Sequence, residues 1–399
     1  VLISIEFICL NLISFFAFSN MAVFYSFFSY LAKIGIPPEW RGFLLGLEPM
    51  AAFALRLAVI PLLHVGNAAG VMLAALGMLV GSLVLYGWAV TIPALILLRI
   101  VHGAAFVLLV SASMALVVYF IPREKSGQGF GLVSVSVLIP YAVMPIVTEA
   151  LLPHVSNEAE IYRWVTVLAI PGFVLLAVLR RRMARVLGSI DASLARRPSL
   201  GEIRGNLKEG RVLLILAVNL FVYLSYASVF FFMKGNANES GIADIGSFFT
   251  ISSLAMIALR ITGGFFFDRM DKVKTLGFFT LLLIPCFILF SRIHTAIGFN
   301  VLAGFYGLCI GFIMPLLNAT LFELSPPHLR GLNTNLSLFM MDAGFFVSPY
   351  GGGLLLASGY SYKDLFDLCA GFLLLNLTSL MLLIHRRARA EAPCVQANG

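Results

Sequence analysis

A charge inside a long apolar run is costly unless it faces a partner or a polar path, so such residues come first. Arg99 and His102 stand three residues apart in the run 94–120 and share one helix face. An arginine there costs at least ~2.5–3.5 kcal/mol on insertion scales, so it must meet a substrate group, a carbonyl or an acid. His102 titrates in the range a proton relay needs, and a buried neutral imidazole would suit the position equally. Asp342, about ten residues into the run 333–357, is placed to carry a proton or to bond a neighbouring helix. Glu48, beside Pro49 in the run 42–63, is a second acid to weigh for proton coupling, and Glu6 suits an interfacial position. Arg56 and Arg260 lie two or three turns before the ends of their own runs.

Polar and aromatic residues also recur at helical spacing. Asn219, Tyr223 and Tyr226 stand at i, i+4 and i+7 on one face. Tyr306 and Asn318 lie in the run 296–322, and Asn11 and Asn20 in the run 4–32. A stripe of this kind points into a membrane protein more often than towards lipid. Other chemistry has no foothold. Cys9, Cys286, Cys309, Cys369 and Cys394 are scattered, without CxxC spacing or a disulfide frame. No HExxH, GxSxG or paired-carboxylate motif appears, so neither an enzyme nor a cofactor is expected.

The elements that must hold these residues follow from composition. Of 399 residues, 60% are apolar and 12% charged, with a mean hydropathy of +0.98. A soluble domain has roughly 45–50% and about 25%. That excludes a soluble enzyme, a nucleic-acid binder and a disordered chain. The net charge of +8 is spread between apolar runs, which is a membrane-orientation signal. The runs are 4–32, 42–63, 69–91, 94–120, 129–151, 162–179, 212–234, 246–267, 275–291, 296–322, 333–357 and 365–384. Each is long enough for a spanning helix and too long for a barrel strand. The chain opens at Val1 directly into such a run, which reads as a first span trimmed at its start.

Lys and Arg fix an orientation. With the N-terminus cytoplasmic, 18 lie on the inner side, nine of them within 180–211, and 6 on the outer side. Both termini are then inside. The expected organisation is a bundle over 1–179, a basic cytoplasmic linker 180–211, a second bundle over 212–385 and a tail 386–399.

The halves repeat. A shift of 204 residues aligns Gly42 with Gly246, Ala54-Leu55-Arg56 with Ala258-Leu259-Arg260 and Gly103 with Gly307. It also aligns Ala115 with Ala319, Pro122 with Pro326, Gly127 with Gly331 and Pro145 with Pro349. One register for Arg, Pro and Gly across several spans is not a chance pattern. A duplicated six-span unit is the architecture of many secondary transporters. Twinned positions suggest that Arg56 and Arg260 tie each half together.

The sequence Gly264-Phe265-Phe266-Phe267-Asp268-Arg269-Met270-Asp271-Lys272-Val273-Lys274 resembles the G-x3-D-R-x-G-R-K signature of the major facilitator superfamily, with Asp271 where a glycine is usual. Gly264 permits close helix packing, and Asp268 suits backbone N–H groups at a helix start. The resemblance implies that Asp268 and Arg269 lock one conformation of the halves. The equivalent stretch of the first half, Pro61 to Asn67, has no acid or basic pair. Arg99-Ile100-Val101-His102-Gly103 resembles the R-x3-G motif of the superfamily's proton-coupled antiporters, which implies charge pairing at Arg99. Gly344 to Gly353 resembles the antiporter motif G-x3-G-P-x2-G-G, with Ser348 for a glycine, in the eleventh run rather than the fifth. Gly344 and Pro349 are then places where helices pack closely and bend. In this family spans 1, 4, 7 and 10 line the cavity, which implies substrate contacts for Arg99, His102, Asn11, Asn20, Asn219, Tyr223, Tyr226, Tyr306 and Asn318.

The expectation is an all-α membrane protein, twelve transmembrane helices in two pseudo-symmetric six-helix bundles, monomeric in the plasma (inner) membrane. Its partners are a small-molecule substrate, protons and the lipid bilayer, with no nucleic acid. The leading activity is proton-coupled efflux of a small organic or amphipathic solute by alternating access. The alternative is uptake of an anionic metabolite held by Arg99 with Arg56 or Arg260. A non-transporting receptor or sensor is the alternative of another class, and the short central loop offers it no signalling module.

The orientation has a direct check. In a chain carrying Cys394→Ser, Ser199→Cys should react with a membrane-impermeant maleimide in inside-out vesicles and stay unmodified in right-side-out ones. The opposite labelling would invert the topology.

Overall fold

The structure is a computed structural model that describes residues 4–187, 198–242 and 245–395. Regular structure among these residues is helical throughout. In the first half the long helices are α1 (Ile5–Ala22), α2 (Pro38–Val59), α3 (Val65–Leu85), α4 (Ile92–Val117), α5 (Ser126–Leu151) and α6 (Ala169–Leu187). The first runs on through a 3-10 turn into Phe27–Lys33, and α6 is entered through a short helix, Glu158–Val165. In the second half they are α7 (Gly210–Glu239), α8 (Ile245–Arg269), α9 (Lys272–Phe290), α10 (Ala296–Leu324), α11 (Arg330–Ala357) and α12 (Tyr362–Val395).

Among the described residues, 11 helices are long and apolar enough to cross a bilayer. The long helix outside that set is α11. Its 28 residues reach about 42 Å, more than the ~30 Å hydrocarbon core. It falls short in apolarity because Asn333, Thr334, Asn335, Ser337, Asp342 and Ser348 lie along it, all buried.

Local chemistry sets the helix starts. Ser4 Oγ accepts from the Phe7 N–H at 3.1 Å to open α1. His64 and Asn67 form a reciprocal capping box at α3. At the twin position, Asp271 Oδ1 accepts from the N–H groups of Val273 and Lys274, each at 3.1 Å, and opens α9. An acid stands in the signature's glycine position because here it caps a helix.

The chain forms two compact units. The first comprises Val1–Pro122, Val135–Pro198 and Pro327–Asn335. In it α2 and α3 both pack along α4, and α6 lies against α1 and α3. Its core is aromatic where α1 passes into the following short helix: Phe24, Phe27, Tyr30, Tyr86 and Tyr162 are all buried. The second unit comprises Arg123–Ser134, Ser199–Pro326 and Leu336–Gly399. In it α8 and α9 pack along α10, and α7 and α9 lie against α12. The first turns of α5 thus belong to the second unit, and those of α11 to the first.

The repeat is visible in atomic contacts. A Cβ on Gly103 would stand 2.7 Å from the Glu48 carbonyl oxygen and 3.2 Å from Ala51 Cβ. A Cβ on Gly307 would overlap the Ser252 carbonyl oxygen and stand 3.0 Å from Ala255 Cβ. All three pairs, 103 with 307, 48 with 252 and 51 with 255, obey the shift of 204. Each glycine lets two helix backbones touch, and a larger side chain would drive them apart.

Gly103→Val and Gly307→Val should each lower the thermal midpoint of the purified protein, corresponding to about 1–3 kcal/mol of overpacking. Gly70→Val, where a Cβ meets open space, should leave it unchanged. Equal midpoints for all three would remove these contacts from the packing account.

Candidate functional site

The polar residues of the first unit are mostly bound to one another or to backbone. Pro49 lies inside α2 and has no N–H for the Leu45 carbonyl one turn back. Arg99 supplies the missing donor. Its Nη2 donates to the Leu45 carbonyl at 3.0 Å and its Nε to the Leu44 carbonyl at 3.0 Å. Glu48 Oε2 lies 3.7 Å from the same Nη2, and the rings of Phe27 and Phe24 lie 4.8 and 5.3 Å from the guanidinium carbon. Arg99 is 2% exposed. Its guanidinium therefore braces a proline-interrupted helix.

His102 is fully buried against the edge of Phe24, with ring centroids 4.9 Å apart. Its Nδ1 lies 3.2 Å from Ser82 Oγ, whose own proton goes to the Leu79 carbonyl at 2.7 Å. The imidazole must then be the donor through Nδ1, which leaves a bare lone pair on Nε2 of the neutral ring. No described polar atom meets that Nε2. Arg56 Nη1 donates to Ser111 Oγ at 2.7 Å and ties α2 to α4. Asn11 donates to the Phe7 carbonyl and accepts from Ser136 Oγ at 3.0 Å, joining α1 to α5. Asn20 donates to the Phe16 carbonyl, and its Oδ1 is buried without a hydrogen bond.

The second unit is arranged differently. Asn219 on α7 donates to Ser337 Oγ on α11 at 2.9 Å, and Ser337 donates to Asn318 Oδ1 on α10 at 3.2 Å. Asn318 in turn donates to the Met314 carbonyl at 3.3 Å. A three-helix relay thus joins two of the predicted residues through a serine that sequence reasoning passed over. Further along, Ser228 and Ser348 share a 2.8 Å hydrogen bond between α7 and α11. Gly344 allows the approach, since a Cβ there would stand 2.7 Å from the Tyr223 carbonyl carbon. Tyr223 and Tyr226 meet edge to face at 6.4 Å, and Tyr226 reaches Phe345 at 6.0 Å. Arg260, Tyr226 and Asp342 all act electrostatically on Tyr223. Asp342 is 6% exposed, in the turn before Gly344.

Arg260 is the loosely held cation of this group. It is 4% exposed, yet its Nη1 makes one long bond, 3.3 Å to the Ser134 carbonyl, and its Nε has no hydrogen-bond partner. Tyr306, on which Tyr226 acts electrostatically, has its ring packed among Phe248, Phe287 and Phe290. It is the repeat twin of His102, and its hydroxyl is likewise buried without a hydrogen bond.

Of the gate residues, Gly264 and the Asp268 side chain lie outside the described residues. Arg269 is exposed at the end of α8, and Pro349 lies inside α11. A neighbouring cluster was missed. Glu323 Oε1 pairs with Lys272 Nζ at 2.8 Å and accepts from Ser126 Oγ at 3.1 Å, joining the ends of α10, α9 and α5. Lys272 falls within the quoted signature, and Glu323 precedes Pro326 at a helix end. Those positions were the available signal. Among the described residues no group of His, Cys, Asp and Glu has the arrangement of a metal site.

The sequence matches the Major Facilitator Superfamily over residues 9–349, and again over 215–396. No curated protein matches it. The fold is similar to that of the human organic anion transporter TETRAN, at 15% identity and a TM-score of 0.71, covering 94% of this chain and 99% of that one. It is also similar to a bacterial homologue of the iron transporter ferroportin in its outward-facing state, at 16% identity and a TM-score of 0.73, covering 96% and 100%. The E. coli fucose:proton symporter gives 12% identity and a TM-score of 0.68, covering 94% and 98%. With a helical duplicated fold and a family match along most of its length, the chain belongs to the Major Facilitator Superfamily and is a multi-pass membrane transporter rather than an enzyme.

Proposed function

We propose that this transporter takes up a small organic anion together with a proton. The observation that carries the reading is Arg260, a buried cation with one long hydrogen bond and a free Nε, in the company of two tyrosines. A charge kept at membrane depth without full pairing suits a pathway residue. Arg99 is less suited to cargo, because its Nε and Nη2 are held at 3.0 Å by α2 carbonyls and only Nη1 is left without a hydrogen bond. Tyr223 and Tyr226 supply hydroxyls and ring faces beside the guanidinium, and the Asn219–Ser337–Asn318 relay supplies neutral polar atoms.

The proton follows from charge balance. Asp342, on α11, and Arg260, on α8, act on the same tyrosine, and both are buried. An anion held by Arg260 and an ionised Asp342 would put two like charges around the same tyrosine in low dielectric, a repulsive penalty. A proton on Asp342 removes it, so anion and proton load together and leave together. Efflux of an amphipathic solute is the second reading, favoured by the R-x3-G stretch at Arg99. Proteins of similar fold include an organic anion transporter and a sugar:proton symporter. Entry through the plasma membrane, with both chain termini in the cytoplasm and the transporter acting as a monomer, completes the proposal.

A panel of small mono- and dicarboxylates, screened by thermal shift, should contain at least one that stabilises the wild type. Arg260→Gln should weaken that binding roughly 10- to 100-fold, the loss expected for hydrogen bonds to a charged group. Arg99→Ala should instead lower the thermal midpoint of the ligand-free protein. Unchanged carboxylate binding in Arg260→Gln would end the assignment.

In proteoliposomes an acid outside should drive the labelled carboxylate inward. Asp342→Asn should keep exchange of anion for anion while its net flux ignores the imposed pH gradient. Acid-driven movement outward from the lumen against the proton flow would favour efflux, and a gradient response retained in Asp342→Asn would remove that carboxyl from coupling.

A further inference from the structure

A cavity of about 430 Å³ lies between α3 and α6, wholly within the first unit. Its lining is Ala69 and Leu73 from α3, and Leu176, Ala177, Arg180 and Arg181 from α6. The two helices touch nearby, where a Cβ on Gly172 would stand 3.4 Å from Leu76 Cδ2. Beyond that contact they carry alanines at 69 and 177, and the gap opens. Leu73 is 36% exposed while Leu176 is buried, so the slot runs from the surface inward.

The three consecutive arginines at the end of α6 behave differently. Arg182 turns to Glu6 on α1, with Nε 2.6 Å from Oε1. Arg180 and Arg181 are exposed, line the cavity, and have no acidic partner among the described residues. An apolar slot between two spanning helices therefore ends at a pair of guanidinium groups that no acid among the described residues neutralises. The volume lies within the range of small-ligand sites.

We infer that this cleft binds an anionic phospholipid, its phosphate held by Arg180 and Arg181 and its chain laid against Leu73 and Leu176. A soluble phosphate would use the arginines and leave the apolar walls empty. A zwitterionic lipid would fill the walls, but its own ammonium group balances its phosphate and leaves the net charge of the arginines unmatched. The basic end of α6 is also the end that the Lys and Arg distribution assigns to the cytoplasm, where the leaflet carries anionic lipid. The site is independent of the anion proposed for Arg260, which lies in the other unit.

The test uses the purified full-length chain, titrated with phosphatidylglycerol or with phosphatidylcholine of the same acyl chains, and bound lipid is counted by native mass spectrometry. Phosphatidylglycerol should be retained over phosphatidylcholine, and inorganic phosphate should not displace it. Arg180→Gln with Arg181→Gln should weaken retention roughly thirtyfold, at ~1 kcal/mol for each basic residue near an anionic surface. Arg180→Lys with Arg181→Lys should keep most of it. Ala177→Trp, which fills the slot and preserves both charges, should lose it. Arg204→Gln with Lys208→Gln, an equal loss of charge elsewhere, should not. Equal retention of the two lipids, displacement by phosphate, wild-type retention in Ala177→Trp, or an equal loss in the Arg204 and Lys208 control would each overturn the site.

Discussion

Hydrocarbon offers no hydrogen-bond partners, so a polar group introduced into these helices is costly unless another part of the protein answers it. The region around Pro49 shows the rule most plainly. A proline opens α2, and an arginine on α4 closes it through two carbonyls. One turn along α4, Gly103 brings that helix against the Glu48 carbonyl. The stretch from Leu44 to Pro49 is thus held by α4 at successive points, and neither helix is complete by itself. Removing Arg99 would leave two carbonyls and a carboxylate without their cation.

The second half shares the glycine contact and lacks the rest. Ser252 takes the place of Glu48, Ser253 that of Pro49 and Ala303 that of Arg99. With no proline to repair, no arginine is needed there. The paired arginines diverged in the same way: Arg56 bonds a serine on α4 at 2.7 Å, while Arg260 makes one long bond to a carbonyl of α5. The first unit therefore uses its buried charges to brace helices, and the second keeps a cation less fully engaged. The two copies of the scaffold thus differ in how far their paired arginine is engaged.

The architecture was legible because it depends on period and composition. Long apolar runs and the repeat of 204 residues reflect burial and backbone approach, and both are local properties of sequence. The site was less so. The spacing of Asn219, Tyr223 and Tyr226 placed them on one helix face, but nothing in that spacing pointed to Ser337 as the bridge to Asn318. An arginine in an apolar run announces that it needs a partner without saying which. Leu44 and Leu45 answer Arg99 through backbone oxygens, and carbonyls carry no sequence signature. Tyr306 looked like cavity lining by type and position, yet its ring is packed among phenylalanines from neighbouring helices. Asp271 was read as a departure from a signature, and becomes intelligible once the start of α9 is seen to need a cap.

The polarity of α11 bears on how the molecule is made. A helix carrying Asn333, Ser337, Asp342 and Ser348 partitions poorly into lipid by itself. Its partners for Ser337 and Ser348 reside on α7 and α10, both synthesised earlier. During biogenesis those helices must already be waiting at the exit of the insertion machinery, so that α11 passes from one polar environment to another without lingering in acyl chains. Chain order thereby becomes an assembly order, and the least greasy of the long helices enters the bilayer as a guest of its neighbours.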